Sequence, residues 1–303
     1  ARRDLLEQAL AAAGAAVTAA PDEFRARLLV QDLEFELDLR GARQRYADGP
    51  AEGAAGKVLA ARALLPERSH EAKALLEQAL REDDELAWAH YGIAFVEHRD
   101  GHSDRAREWC ERALRKDPGL VEALRLLAEL CEGSDRARAI RARRLLVEIS
   151  GGDLAERHAL AQLLLEADDR SDATDAADEL KAIIAAIGEP ADAEARALAR
   201  DCWLDLGTSY SRRNKPDQAI DSWRRALALD RDFLPALFNI GLVEQGRGAL
   251  QAALEAFEEY LARAQASPRA LPADQVLDRH FYVPNRVRTL REQLAAAAAA
   301  AEK

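Results

Sequence analysis

Methionine is absent from this 303-residue sequence, aromatic residues make up only 5% of it, and cysteine occurs three times. So few cysteines, in an odd number, predict packed thiols and not a disulfide framework. No apolar run reaches the roughly 18 residues that a spanning helix needs, so we expect no membrane span. Because position 1 is not methionine, a removed signal peptide or lipid anchor stays open. The compartment is therefore unknown: a cytoplasmic location is slightly favoured, and a periplasmic or membrane-anchored one stays open.

Valine, isoleucine and threonine are also scarce, whereas alanine is abundant, and this balance favours helices over sheets. Hydrophobic residues at 49% and charged residues at 32% are typical of a folded protein. The net charge of -11 argues against a nucleic-acid partner. Arginines crowd residues 136–144, but they lie among periodic apolar residues, as on the solvated face of a helix. The alanine- and arginine-rich composition favours a bacterial origin.

An internal repeat organises the middle of the chain. Its clearest copy places large and small side chains in a fixed order, at Trp203, Leu206, Gly207, Tyr210, Ala219, Trp223 and Ala226. Spacings of three, four and seven residues put these side chains on one face of each of two helices. Gly207 and Ala219 are small enough to let the two helices approach closely, while the large residues fill the space beside them. The segment therefore predicts a packed pair of helices.

Other parts of the chain repeat these positions. A following copy has Leu237, Ile240, Gly241, Ala253 and Phe257, and an earlier copy has Trp88, Tyr91, Gly92, Ala106, Cys110 and Pro118. Three weaker copies are centred on the residue pairs 59–60, 127–128 and 160–161. We count six units between about residues 53 and 267, three strong and three degenerate, and expect twelve helices there.

These units resemble the tetratricopeptide repeat, whose pattern is W-x2-L-G-x2-Y…A-x3-F. Trp223 takes the place of the phenylalanine, and Arg231 stands where the late proline of the family is expected. The resemblance implies an all-α fold: a right-handed superhelical array of antiparallel helix pairs with helical end caps. It also implies a concave groove, lined by the first helix of each pair, in which a protein or peptide partner binds.

The resemblance assigns residues to this groove, chiefly one and five positions after the Trp203 position of each unit. The candidate binding residues are Ile93, Arg125, Glu129, His158, Gln162, Leu204, Thr208, Arg212, Phe238, Leu242 and Gln245. Lys57 and Arg125 are not neighbours in the array, so we do not expect the clamp by which some family members hold acidic tails. Two alternatives stay open for Leu204, Phe238 and Leu242. They bind an apolar segment of a partner, or they lie beneath the C-terminal helix.

The ends of the chain fall outside the repeat register and predict three regions: an N-terminal helical segment at 1–50, the array at 51–267, and an extended link with a capping helix at 268–303. Alternating residues near 33–39 allow a strand, whereas Leu29, Leu33 and Leu37 favour a helix. In the first helix we expect Leu5, Leu6, Ala9 and Leu10 to face inward. Because Pro284 cannot lie inside a helix, we expect residues 281–284 to be extended and the last helix to begin near Asn285.

Sequence motifs for metal binding, phosphate binding or catalysis are incomplete or absent. His98 and His102, with Asp100 and Asp104, could form a metal set, but Gly101 interrupts any helix that would align the two rings. Residues 53–58 lack the first glycine and the hydroxyl residue of a phosphate-binding loop. The sequence has no G-x-S-x-G, H-E-x-x-H or C-x-x-C. We therefore predict no enzyme, no metal and no cofactor.

The leading hypothesis is a protein–protein interaction scaffold or adaptor that binds a partner peptide or helix during assembly of a larger complex. One alternative is a peptide- or ligand-sensing regulator, which predicts a deep polar pocket near His158 and Gln162. Another is the repeat region of a larger enzyme. Neither the identity of the partner nor the oligomeric state follows from the sequence.

Overall fold

The computed structural model describes residues 2–20, 23–37, 41–166, 169–266 and 281–301. Over these residues the chain forms sixteen α-helices and no strand. In chain order they are α1 (Arg2–Ala19), α2 (Phe24–Glu36), α3 (Ala42–Asp48), α4 (Gly53–Leu64), α5 (Ser69–Glu82), α6 (Ala87–Arg99), α7 (Ser103–Lys116), α8 (Val121–Glu132), α9 (Arg136–Ile149), α10 (Leu154–Glu166), α11 (Arg170–Ile187), α12 (Ala193–Arg212), α13 (Pro216–Leu229), α14 (Leu234–Gly246), α15 (Leu250–Ala266) and α16 (Val283–Ala301). The predicted all-α class is confirmed. None of these helices combines the length and hydrophobicity needed to cross a bilayer.

The chain divides into two compact units, Ala1–Ile149 (unit 1) and Ser150–Lys303 (unit 2). Each unit contains three helix–turn–helix pairs: α4–α5, α6–α7 and α8–α9 in unit 1, and α10–α11, α12–α13 and α14–α15 in unit 2. The twelve predicted helices are thus confirmed. Within each unit the first helices of successive pairs also contact one another and form a layer. We call the side of this layer that faces away from the second helices the first-helix face.

Glycines mark the closest helix contacts, as the repeat pattern predicted. A Cβ atom on Gly207 would overlap the indole of Trp223, and one on Gly241 would overlap the ring of Phe257. The Trp223 indole is fixed in this position because its Nε1 donates a hydrogen bond of 3.0 Å to the carbonyl oxygen of Leu204. The pairs α12–α13 and α14–α15 therefore each depend on one missing side chain for their tight packing.

The N-terminal segment is helical where the structure describes it. The helix alternative is confirmed for residues 33–36, which belong to α2, and buried Leu37 caps its end. Residues 38 and 39 of the possible strand lie outside the described residues. Two expectations are wrong. Leu5 is 66% exposed and Ala9 is also exposed, because the inward side of α1 follows Leu6, Leu10 and Ala13 at helical spacing.

The last helix begins earlier than the sequence suggested. Residues 281 and 282 form a π-helical turn and Val283 and Pro284 open α16, so the prediction that residues 281–284 are extended is wrong. The physical reason is that the first turn of a helix tolerates proline, since its N–H groups have no partner within the helix. The predicted link at 268–280 lies outside the described residues. Val283, Val287 and Leu290 are buried in the core of unit 2, so α16 acts as its helical end cap.

Candidate functional site

The first-helix face of unit 2 carries half-buried apolar side chains. Leu204 on α12 packs against a core cluster that includes Trp223 and Ile240. Phe238 and Leu242, one turn apart on α14, pack against a separate cluster. The Phe238 ring lies 6.1 Å from that of Phe257, centroid to centroid, in an edge contact. Each of these side chains therefore rests on the core with part of its surface open to solvent.

The end cap takes up part of this patch. The cluster beneath Phe238 and Leu242 also contains Val287 and Leu290 of α16. Gln245, a candidate binding residue, accepts a hydrogen bond of 2.8 Å from Nη1 of Arg286 on α16. Of the two alternatives for the apolar residues, packing with the C-terminal helix therefore applies in part to the α14 side chains. Leu204 belongs to the other cluster.

A polar pair lies beside Leu204. Nε2 of His158 on α10 is 2.9 Å from Oδ2 of Asp205 on α12, and both side chains are largely shielded from solvent. Gln162 is exposed one turn further along α10. The Thr208 hydroxyl donates to the Leu204 carbonyl at 3.1 Å, so it offers a partner only its acceptor sites. Arg212, at the end of α12, is exposed. The sequence did not predict Asp205 as a site residue, because the register rule assigns Leu204 and Thr208 to the groove and does not include the residue after Leu204.

In unit 1 one of the candidate binding residues is not on the surface. Ile93 is completely buried and belongs to the core, so it cannot contact a partner in this state. Ala61 and Ala89, which occupy equivalent groove positions in their repeats, are also completely buried. The physical reason is a second layer of structure: Phe24 and Leu28 of α2 pack against the same core cluster. Sequence periodicity shows that a helix face is apolar, but not which other helix covers it.

The last part of the unit 1 face is exposed and charged. Arg125 and Glu129 lie one turn apart on α8, and both are exposed. Oε1 of Glu129 is 3.5 Å from Nε2 of His98 on α6. The face thus changes from a covered apolar part on α4 and α6 to an open charged part on α8.

The two histidines of the possible metal set, His98 and His102, contact carboxylates on different helices. His98 faces Glu129, whereas Nδ1 of His102 is 2.9 Å from Oε2 of buried Glu97. The Lys73 ammonium, hydrogen-bonded to Glu97 at 2.5 Å, lowers the pKa of that carboxyl, and His102 adds to the effect. Among the residues that the structure describes, no three His, Cys, Asp or Glu side chains are placed to share a metal ion.

The three cysteines are buried free thiols. Burial raises the pKa of both Cys110 and Cys202 to about 12, so their thiols remain protonated near neutral pH. They pack as small apolar residues, as the sequence predicted.

Sequence comparison identifies the repeat directly. Two sequence models of the tetratricopeptide repeat match the chain, one over residues 67–130 in unit 1 and the other over residues 204–268 in unit 2. These segments contain the strong copies that start at Trp88 and Leu237 and, from Leu204 onward, the copy that starts at Trp203. No curated protein sequence matches the chain.

Solved structures share the fold. A chain of the APC/C hetero-tetramer Cut9–Hcn1 aligns with 94% of this chain at 16% identity and a TM-score of 0.53. This chain spans about half (52%) of its length. YrrB, a tetratricopeptide-repeat protein with an unusual peptide-binding site, aligns with 65% of this chain and 96% of its own at 19% identity and a TM-score of 0.53. The structure of Naa15/Naa10 bound to HypK-THB aligns with 96% of this chain and 39% of its own at 15% identity and a TM-score of 0.54.

Proposed function

We propose that this chain, which belongs to the tetratricopeptide-repeat family, binds an apolar helical or extended segment of a partner protein along the first-helix face of unit 2. The repeats and the shared fold support the general role of a protein–protein interaction scaffold. The proposal adds where the partner binds and that the scaffold is non-enzymatic and serves the assembly of a larger complex.

The observation that carries the proposal is Leu204, a half-buried leucine beside the shielded pair of His158 and Asp205. Apolar surface next to fixed polar groups is typical of a protein-binding groove. We infer that a partner places an apolar side chain on Leu204 and a hydrogen-bonding group near Gln162 and His158.

The half-buried side chains of α14 extend this surface. Phe238 and Leu242 provide apolar area next to the end cap, so α16 limits how far a partner segment reaches in that direction. Among the structures with the same fold, YrrB has an unusual peptide-binding site, and Naa15/Naa10 is bound to HypK-THB. They support, by analogy of fold, a role in which one chain holds segments of others.

The alternative of a ligand-sensing regulator predicted a deep polar pocket near His158 and Gln162. Unit 2 has open grooves of about 400 Å³ beside Arg196 and Arg200 and of about 430 Å³ beside Trp203. Neither groove is lined by His158 or Gln162. This placement favours the scaffold.

Photo-crosslinking tests the proposal. The full chain, carrying a benzophenone amino acid in place of Leu204, is expressed in cells that make the protein and is irradiated. A matched chain carries the same group in place of Arg224, which is exposed on the second helix α13. We expect a protein that is crosslinked from position 204 and not from position 224. Equal capture from both positions, or no capture from 204, would overturn the proposed site.

A further inference from the structure

The first-helix face of unit 1 already holds a helix. α2 contacts α4 of the first repeat, the core cluster that includes Trp88 of the second, and the turn that leads to the third. Its polar contacts reach Leu59 and Arg62 on α4 at one end and Asp117, in the turn before α8, at the other. Groove positions beneath it, such as Ala89 and Ile93, are completely buried. The chain thus binds to itself in the manner of an amphipathic helix in a groove.

Two apolar side chains anchor the N-terminal half of α2. Phe24 and Leu28 lie one helical turn apart and pack against the core cluster that contains Trp88 and Ile93. With a spacing of four residues they project from one side of the helix. This is the spacing by which a helical ligand places two anchors in an apolar groove.

Polar contacts fix the register of α2. The Gln31 side chain is completely buried, and its Nε2 donates a hydrogen bond of 2.7 Å to the carbonyl oxygen of Leu59. Nη1 of Arg62 donates to Oε1 of Gln31 at 2.9 Å, and Arg62 also pairs with Asp32. Both ends of the Gln31 amide are therefore satisfied, and a helix shifted by one residue would leave them buried without partners.

The fit of α2 is incomplete near Phe24. A cavity of about 140 Å³ remains there. It is lined by Phe24 and Leu28 of α2, by Leu86, Trp88 and Leu120 of the repeats, and by the charged residues Arg25, Glu85, Lys116 and Asp117. The indole N–H of buried Trp88 has no acceptor among the residues that the structure describes. The Arg25–Asp117 ion pair at this end is 3.0 Å long, but the arginine is mostly exposed, so the pair stabilises little. A ligand side chain that filled the cavity would make packing contacts that α2 does not make.

We propose that the first-helix face of unit 1 is a binding site for an amphipathic helix of a partner protein, and that α2 is its intramolecular, displaceable occupant. The partner helix carries the pattern of α2: an aromatic residue, an aliphatic residue four positions later, and an amide and a carboxylate seven and eight positions later. Arg62 binds the amide and the carboxylate of this pattern. The two apolar side chains pack on the core cluster around Trp88. The site rests on unit 1 alone, so it is independent of the site proposed on unit 2.

A synthetic peptide tests the site in the full chain. The probe is a fluorescein-labelled peptide with the sequence of residues 23–37. The protein is compared as wild type and as the double variant Phe24→Ala and Gln31→Ala, which weakens α2 and leaves the face unchanged. In the wild type α2 competes at a high effective concentration, so we expect at least tenfold tighter peptide binding by the double variant. Adding Arg62→Ala to the double variant should weaken peptide binding at least tenfold.

A peptide in which Phe24 and Gln31 are replaced by alanine serves as the matched control and should not bind. Circular dichroism checks that each variant folds. If the folded double variant fails to bind the probe, or binds the control peptide equally well, the proposal is wrong.

Hydrogen exchange of the wild type decides the question if the double variant does not fold. A displaceable helix opens without unfolding the repeats beneath it, so the amides of α2 should exchange at least tenfold faster than those of α6 and α8. Exchange of α2 at the same rate as α6 would show that it opens only with global unfolding and would overturn the proposal.

Discussion

At the scale of single residues, the close contacts of the repeat follow from the absence of side chains. Gly207 faces the Trp223 indole, which a hydrogen bond to the Leu204 carbonyl holds in place. Such size patterns are local in the sequence, so the sequence alone predicts that Gly207, Trp223, Gly241 and Phe257 lie at contacts between helices. Single side chains decide the stability of these pairs.

Gly207→Ala should therefore destabilise the protein by about 1–3 kcal/mol, because the added methyl group overpacks a contact that cannot relax. Gly14→Ala is the matched control: that glycine also lies within a helix, but a Cβ there meets nothing within 4 Å. The control should be neutral or slightly stabilising. Urea unfolding measures both changes, and equal effects at the two positions would contradict the packing described for Gly207.

Glu97 makes the stability of the protein depend on pH. Its folded-state pKa is lowered, chiefly by the hydrogen bond from Lys73, so the unfolded chain takes up a proton at higher pH than the folded one. The stabilisation is present above the unfolded-state pKa of about 4.3 and is lost as the pH falls through the folded-state value.

We expect Glu97→Gln to reduce the free energy of unfolding at pH 7. The difference in free energy of unfolding between the variant and the wild type should become smaller as the pH falls below about 4.3. The exposed Glu108 provides the control, as Glu108→Gln should leave the wild-type pH profile nearly unchanged. Urea unfolding between neutral and acidic pH checks this. A difference between Glu97→Gln and wild type that is constant with pH would contradict the role given to Glu97.

At the scale of helices, the sequence predicted which segments are helical better than it predicted which other helices they pack against. The alternation near residues 33–37 did not produce a strand; α2 continues through Glu36. Leu29, which had favoured the helix, is 50% exposed, and the buried anchors of α2 include Gln31 instead. Periodicity identifies a helix, but the side that becomes buried depends on contacts with distant repeats, which no local pattern contains.

The end cap α16 gives a prediction at this scale. Phe238→Ala combined with Leu242→Ser should weaken partner binding by more than tenfold, about 1.4 kcal/mol, while helical circular dichroism stays near that of wild type. The reason is that both side chains are only half-buried, with the core cluster below them intact. Loss of helical signal would mean that the patch is core beneath α16, and binding would then have to rest on Leu204 and the polar residues beside it.

At the scale of the whole molecule, the repeat pattern predicted the number of helices and their pairing. It carried no signal for the division between residues 149 and 150, because the register of the repeats continues on both sides of that point. Candidate groove residues were only partly predictable for the same reason. The register gives the first-helix face of each repeat, whereas its covering by α2 in unit 1 and in part by α16 in unit 2 is a property of the folded chain.

The most direct measurement is the dissociation constant of the partner captured from position 204, determined for three full-length proteins by titration. They are the wild type, Leu204→Ser, and Arg224→Ser as the exposed control on α13. The account predicts that Leu204→Ser weakens binding by more than tenfold, about 1.4 kcal/mol, and that Arg224→Ser leaves it within twofold of wild type. Equal dissociation constants for Leu204→Ser and wild type, with unchanged circular dichroism, would contradict binding on the first-helix face of unit 2.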